Sequence, residues 1–484
     1  MKVQVTPSLA LTAHQPDPRR WLMLAVVLCA ALVVVLDGFI VNVAIPSIER
    51  ELHASFAELQ LVVAGYTLAY AVLLVAGGRL GDLYGRKRLF VFGMGGFTLF
   101  SACCGIAPNA LLLIIFRIAQ GATAALMFPQ VISFIQVSFD SSERPRAFGY
   151  YAAISGLASI LGQVFGGFLL TANLFNTGWR SIFLVNVPIG IVALVAALLL
   201  LRESRIAEAH GLDYGGVSLL TLSLFLLVFP LVEGESAGWP RWALICLVLS
   251  VPALIAFLVY EQRMTRQGKS PLVSLTLLRQ RRFSAGLLTI TLSVLLFTAM
   301  LFLLTFYLQT ILHLTPLQAG LVFMAASVSF ILASLLSSAV VSHLGKHSLS
   351  VAAALVTLAY VLVFLAAQFL VPRWGMPPLL VALFVLGFGM GFLGTPLLSK
   401  TLEGVAHHDA GTASGVYTTI QQIAGAFGVT LIGLLDTFLT VSSGNPLRAF
   451  VISVLVITLL SLGLTLSVLP LAGSLPPITE SEAL

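Results

Sequence analysis

The sequence is short of charge. Only 9% of its 484 residues are Asp, Glu, Lys or Arg, against 59% hydrophobic. Soluble domains carry about 25% charged residues, so a chain this poor in charge could not cover its own surface in water. That excludes a soluble multidomain enzyme despite the length. With a mean hydropathy of +1.04, the chain reads as an integral membrane protein of several spans. Cysteine is scarce as well. Cys29, Cys103, Cys104 and Cys246 all lie inside apolar runs. That is packing usage, so neither a disulfide framework nor a metal site is expected. The histidines (His14, His53, His210, His313, His343, His347, His407, His408) fall in the tail, in loops or at helix ends. A membrane-embedded enzyme would need a His, Asp or Cys cluster at one depth. No Walker-type glycine loop is present, which excludes ATP as fuel. No charged ring or filter motif recurs, as a channel would need. No secretory signal precedes the first apolar run. No cofactor is expected.

What is present is a series of long apolar runs. A bilayer core of about 30 Å takes about 20 apolar residues as helix. The runs are continuous rather than alternating, so they read as helices, which satisfy their backbone within lipid. Fourteen are read: Trp21–Ile45, Leu59–Gly81, Leu89–Ala107, Ala110–Val137, Ala147–Ala172, Ser181–Leu201, Asp213–Glu233, Trp242–Tyr260, Phe283–Leu312, Pro316–Val341, Leu349–Val371, Pro377–Leu402, Gly411–Thr440 and Ala449–Leu469. An even count puts both termini on one side. Lys and Arg choose the side. With the N-terminus inside, 19 of the 25 basic residues fall on inner tails, loops and helix ends, five fall outside, and Arg117 lies within a span. Both termini are therefore expected in the cytoplasm, and the chain in the cell inner (plasma) membrane. The basic excess serves topology, so no nucleic-acid partner is expected.

The longest inner loops, Arg202–Leu212 and Glu261–Arg282, bracket the seventh and eighth spans. The expected division is a cytoplasmic tail (1–20), an N-terminal six-helix bundle (21–201), a linker carrying spans 7 and 8 (202–282), a C-terminal six-helix bundle (283–469) and a cytoplasmic tail (470–484). The fold class is all-α: two six-helix pseudo-repeat bundles plus an inserted helix pair. The first and ninth spans begin 262 residues apart, and the sharp loop at Asp82 has a counterpart at that offset in His343–His347. Pseudo-equivalent halves of this kind place a substrate site between them near mid-membrane.

Several motifs carry a family resemblance. The loop after the second span reads G-R-L-G-D-L-Y-G-R-K-R-L, Gly78 to Leu89. It resembles the loop motif of the major facilitator superfamily at Gly78, Leu80, Asp82, Gly85, Arg86, Lys87 and Leu89, with Leu83 where an Arg is usual. Leu36–Pro46, Gly178–Gly190, Leu212–Gly216 and Ser270–Phe283 resemble its fourteen-span drug:proton antiporter branch. The resemblance covers nearly the whole chain. It implies a proton-coupled secondary transporter that exports amphipathic small molecules, multidrug-efflux fashion. It also implies that the Gly78, Asp82, Gly85, Arg86 and Lys87 loop is a cytoplasmic gate, a latch formed in one state and broken in the other.

Asp37 is the most informative residue. It lies 16 residues into the first span, roughly 24 Å along its axis. An ionisable group at such depth is costly and is a functional hypothesis by default. Arg117, on the fourth span, lies at comparable depth. A paired Asp and Arg, or an Asp that binds a proton, both fit. In the family the Arg of the helix-4 motif, matched here at Arg117, Gln120 and Gly121, is linked to proton transfer; here it could equally be the counter-charge of Asp37. The fifth span carries a small-residue face, Gly149, Gly162, Gly166 and Gly167, which lets helices approach closely. It resembles the antiporter motif, with Ala158 and Gln163 as departures, the latter where the family has Pro. Phe39 stands where a Thr is usual. Candidate cavity residues are Phe39, Tyr66, Tyr70, Met127, Gln130, Phe134, Gln163, Met300, Tyr307, Gln309, Tyr417, Gln421 and Gln422, since aromatics and Met adapt to varied substrates and an amide in lipid lacks partners. Asp436 and Glu233 read as acids solvated at the membrane interface. The expected partners are the small amphipathic substrate, protons and the lipid bilayer, and the chain is expected to work as a monomer. The alternatives are a specific metabolite exporter or an importer of the same superfamily.

Overall fold

The computed structural model describes residues 18–140, 142–172, 176–204, 213–234, 238–267, 272–273, 275–406 and 409–472. Among them, fourteen helices are long and apolar enough to cross a membrane. They are α1 (Arg20–Leu52), α2 (Phe56–Tyr84), α3 (Arg86–Gly105), α4 (Ala110–Ser138), α5 (Arg144–Ala172), α6 (Gly178–Leu200), α7 (Tyr214–Glu233), α8 (Arg241–Arg266), α9 (Arg281–Phe306), α10 (Pro316–Leu344), α11 (Ser348–Leu365), α12 (Pro377–Thr401), α13 (Ala410–Ser443) and α14 (Pro446–Ser467). The protein is a multi-pass membrane protein. Both ends of the helix series lie on one side, called here the termini face.

The helices begin where side chains satisfy the free N–H groups of a first turn. Ser55 and Glu58 close a capping box on α2, and Thr315 and Gln318 do the same on α10. Asp213 caps α7. Two helices run beyond their apolar stretch. α1 continues through Pro46 to Leu52, and α8 continues to Arg266. Hydropathy marks where the membrane ends, whereas a helix continues into water wherever its backbone stays bonded. Glu261 is thus helical, where the sequence reading put a loop.

Helix pairing repeats between the halves. α1 packs on α5 and α2 on α4 in the first; α9 packs on α13 and α10 on α12 in the second. The halves meet along α2 with α13 and α5 with α10. The inserted pair, α7 and α8, packs on itself and on α2. Val72 and Val75 of α2, Leu220 and Leu224 of α7, Phe257 of α8, and Leu272 and Val273 form one apolar cluster there. α2 therefore touches its own half, the other half and the inserted pair.

Candidate functional site

The first cluster is built around Asp37 of α1, which is 0% exposed. α5 holds α1 in place. A methyl on Gly162 would stand 2.8 Å from Phe39 Cβ and 2.9 Å from the Leu36 carbonyl, and one on Gly166 would stand 2.8 Å from Ile40. Two of the four small residues thus press α5 against the turns flanking Asp37. Gly167 lies beside Val43, and Gly149 faces Ser334 of α10 instead.

Asp37 collects three donors. Arg117 of α4 is ion-paired to Oδ2 through Nη1. Gln120 Nε2 donates to Oδ1 at 3.1 Å, and Asn186 Nδ2 of α6 donates to the same oxygen at 2.9 Å. Asn186 also donates to Ser101 at 3.2 Å. Arg117 has further partners: its Nε donates to the Val62 carbonyl at 3.1 Å, and its guanidinium lies 4.2 Å from the Tyr66 ring centroid. Buried charge is tolerated only when paired and hydrogen-bonded, and this pair is both. Sequence reasoning paired Asp37 with Arg117 but did not single out Asn186 or Ser101. The available signal was an amide within an apolar run.

The second cluster joins the halves at the termini face. Asp82, at the end of α2, is 0% exposed. Its Oδ1 pairs with Arg86 at 2.6 Å and accepts from Gly411 N at 3.1 Å; its Oδ2 accepts from Thr412 N at 3.0 Å. Those two amides open α13, where the helix dipole favours a carboxylate. Gly78 makes the approach possible, because a methyl there would collide with the Gly411 carbonyl. Gly85 turns the chain at φ +108°, a region that favours glycine. Arg86 Nη1 donates to Ser204 Oγ at 2.9 Å. Lys87 points elsewhere, its Nζ donating to the Leu198 carbonyl at 2.8 Å. Three more bonds cross nearby: Ser133 to Ser414 at 2.9 Å, Ser414 to the Pro129 carbonyl at 3.1 Å, and Gln136 to the Leu402 carbonyl at 2.7 Å. In this conformation the termini face is closed between the halves.

The third feature is a cavity of about 540 Å³ between α2, α7, α9 and α13. Its walls are Thr67, Ala71, Val228, Leu231, Val294, Thr298, Gln421, Gln422, Gly425, Ala426 and Val429. Thr67 and Thr298 donate to carbonyls of their own helices. Gln421 and Gln422 have no hydrogen-bond partner among the described residues, so their amides are what the cavity offers a ligand. The size suits a small organic molecule.

Most other cavity candidates sit elsewhere. Tyr66 and Tyr70 are buried and stacked at 6.1 Å, on the Arg117 side of α2. Gln130 donates to the Gly77 carbonyl at 2.9 Å, bonding α4 to α2. Tyr307 stacks on Phe450 at 4.3 Å within the second half. Met127, Met300 and Tyr417 are buried in the core, and Phe134 packs on Phe139. Gln309 is exposed in the π-helical turn after α9, and Phe39 is partly exposed on α1. The side chain of Gln163 lies outside the described residues. Asp436 is a correction: it is buried, 6% exposed, with Ser453 donating at 3.3 Å. α14 folds back over that end of α13 and replaces the expected water. Glu233 is part-buried at the end of α7.

The family model of the Major Facilitator Superfamily matches residues 27–429. The chain belongs to this superfamily. Among curated relatives, a probable actinorhodin transporter of Streptomyces coelicolor is 39% identical, covering 88% of this chain and 74% of that protein. The puromycin resistance protein pur8 of Streptomyces alboniger is 34% identical over 90% and 85%. The lincomycin resistance protein of Streptomyces lincolnensis is 33% identical over 85% and 83%. The solved structure of the human organic anion transporter MFSD10 (TETRAN) matches with a TM-score of 0.66 at 14% identity, covering 94% of this chain and 100% of that one. At that identity the likeness concerns the fold alone. A superfamily member of this topology is a membrane transporter, which agrees with two halves that meet around a cavity.

Proposed function

We infer that this major facilitator protein is a proton-driven exporter of amphipathic small molecules, working by alternating access with both termini in the cytoplasm of the inner membrane. The observation that carries the reading is the placement of α2. Tyr66 faces the Asp37–Arg117 pair, and Tyr70, one turn on, stacks against the Tyr66 ring. Thr67 and Ala71, on the adjacent stripe, line the cavity. Asp82, about 22 Å further along the helix, binds α13. One rigid element thus connects a coupling carboxylate, a binding cavity and an interface between the halves. Asp37 takes up and releases the proton. Arg117 holds the carboxylate charge while the proton is absent. Asp82 and Arg86 are the cytoplasmic latch, formed when the inner side is shut. The cavity binds apolar or singly charged amphiphiles through its aliphatic walls and two glutamine amides. The relatives named for actinorhodin, puromycin and lincomycin support small organic substrates of this kind.

The test is transport of a panel of dyes, and of puromycin and lincomycin, by the protein in proteoliposomes with and without a pH gradient. Uptake into inverted vesicles that requires an acidic lumen is expected. Equal transport with the gradient collapsed, or transport of none of the panel, defeats this reading. For topology, single-cysteine variants at Ser142 and Gln267 should react with a membrane-impermeant maleimide from the cytoplasm, and those at Gly238 and Asn445 from outside.

A further inference from the structure

Asp213 and Glu261 belong to neither the Asp37 cluster nor the Asp82 latch. Asp213 caps the start of α7, and Glu261 lies near the end of α8. The antiparallel pair brings their carboxylates together over Gly216. A methyl built on Gly216 would stand 2.5 Å from Glu261 Oε1 and 2.7 Å from Asp213 Oδ2, so those two oxygens are no more than about 5.2 Å apart. They are also the two oxygens of the pair without a hydrogen-bond partner among the described residues. Their sister oxygens are engaged. Asp213 Oδ1 accepts from Gly216 N and from the Tyr260 hydroxyl, each at 2.9 Å, and Glu261 Oε2 accepts from Val273 N at 3.1 Å. Glu261 is 0% exposed and Asp213 8%.

Two buried carboxylates with free oxygens this close repel when both are charged, and burial leaves that repulsion weakly screened. Tyr260 on α8 hydrogen-bonds to the pair, and Arg79 on α2 lies within electrostatic reach of Glu261. Tyr260 already spends its hydroxyl proton on the engaged oxygen of Asp213. What both free oxygens lack is a donor between them.

We propose that Asp213 and Glu261 are a second proton-binding site, in which a single proton is shared between Asp213 Oδ2 and Glu261 Oε1. The proton is taken from hydronium at the termini face, whose O–H bond breaks to leave water, and it is held in one O–H···O bond between the two free oxygens. When it leaves, two like charges face each other across Gly216 and draw on Arg79. Arg79 lies one turn before Asp82 on α2, so the charge state of the inserted pair acts on the helix that carries the latch. This gives α7 and α8 a role beyond filling lipid-facing space: they report protonation at the termini face to the interface between the halves.

The proposal is tested on the full-length protein in detergent at neutral pH by infrared spectroscopy. A protonated-carboxyl C=O band that shifts in D₂O is expected, and it should be lost in Glu261→Gln and equally in Asp213→Asn, because removing either acid frees the other to ionise. Unchanged spectra in both variants overturn the proposal. So does loss in only one, which would mean an isolated neutral acid. Should either variant fail to elute as a folded monodisperse species, the wild type decides the matter. ¹³C-carboxyl labelling of Asp and, separately, of Glu should each perturb the same exchangeable band, and a band perturbed by only one label refutes sharing. Sodium, with choline as control, must leave the carboxylate bands unchanged; a sodium-specific shift that disappears in the variants would assign the site to a metal cation instead.

Discussion

The two halves of the protein share a helix-pairing scheme but not a chemistry. In the first half, Asp37 binds Arg117, Gln120 and Asn186, and Asp82 binds Arg86. In the second half, the buried acid Asp436 has the Ser453 hydroxyl as its hydrogen-bond donor. The loops after α2 and after α10 make the same point. Both turn on a glycine with positive φ, Gly85 at +108° and Gly345 at +52°. Three residues before the turning glycine stands Asp82 in the first half and Ser342 in the second, with no acid. The second half contributes backbone to the shared interface: the opening amides of α13. The repeat supplies the architecture, and the buried ion pairs among the described residues, Asp37–Arg117 and Asp82–Arg86, both lie in the first half. A carboxylate on one side and a helix terminus on the other form a contact that can break without stranding a second buried side-chain charge.

The largest effect is expected at Asp37. Asp37→Asn should abolish uphill transport and the response to a pH gradient in proteoliposomes. It should also destabilise the protein, because removing one member of a buried ion pair costs about 3–5 kcal/mol. Arg117→Gln added to it should restore much of the thermal stability and none of the proton-driven transport. Recovery of gradient-driven transport by the double variant would make the pair a structural neutralisation, and the first half would lose its special place.

Asp82→Asn comes next. It removes the charge from bonds to Arg86, Gly411 and Thr412, and hydrogen bonds to charged groups contribute about 1.5–3 kcal/mol each. Losing part of that shifts the closed-to-open balance by about tenfold or more. In a cysteine-free background, a cysteine at Ser414 should react faster with a maleimide applied from the cytoplasm, and transport should fall severalfold. Unchanged accessibility would mean that the α2–α13 contact does not hold the inner side shut.

What the sequence revealed follows the same asymmetry. Asp37 and Arg117 were legible because a charge inside an apolar run is a costly exception. Asp82 was legible through its motif; that its partners would include the N-terminus of α13 was not, since Gly411 lies 329 residues away. Gln421 and Gln422 stood out as amides without partners in a span. Tyr66, Tyr70 and Tyr307 did not sort themselves, because helical periodicity says that a residue faces the bundle interior without saying which interior. Tyr66 and Thr67 are neighbours in sequence, yet one faces the ion pair and the other the cavity. Glu261 was misplaced because apolarity ends before α8 does.

The cavity lies between the halves, so its variants should bear on neither half's proton chemistry. Gln421→Leu and Gln422→Leu should raise the KM for substrates with hydrogen-bonding groups by about 3–10-fold, in keeping with about 1 kcal/mol per net hydrogen bond. Purely apolar dyes should be affected less, and proton release on substrate addition should keep its stoichiometry. A loss of proton coupling in either variant would merge the cavity and the Asp37 cluster into one site, contrary to the separation that α2 makes between them.

The smallest effect is expected at Asp436, and it is the sharpest check on the comparison. Asn is nearly the same size as Asp and its amide oxygen can accept the Ser453 hydroxyl as the carboxylate does. No described cation is ion-paired to Asp436, so Asp436→Asn strands no opposite charge, in contrast to the same change at Asp37. Stability should therefore fall by no more than about 1 kcal/mol, well short of the loss at Asp37. Transport rate and its dependence on the pH gradient should stay within about twofold, a difference worth under 0.5 kcal/mol. If Asp436→Asn instead uncoupled transport from the gradient while the protein stayed folded, protons would be handled in both halves. The lone serine contact would then mark a carboxylate that changes partner between states, and the contrast between a half with buried ion pairs and a half without them among the described residues would fail.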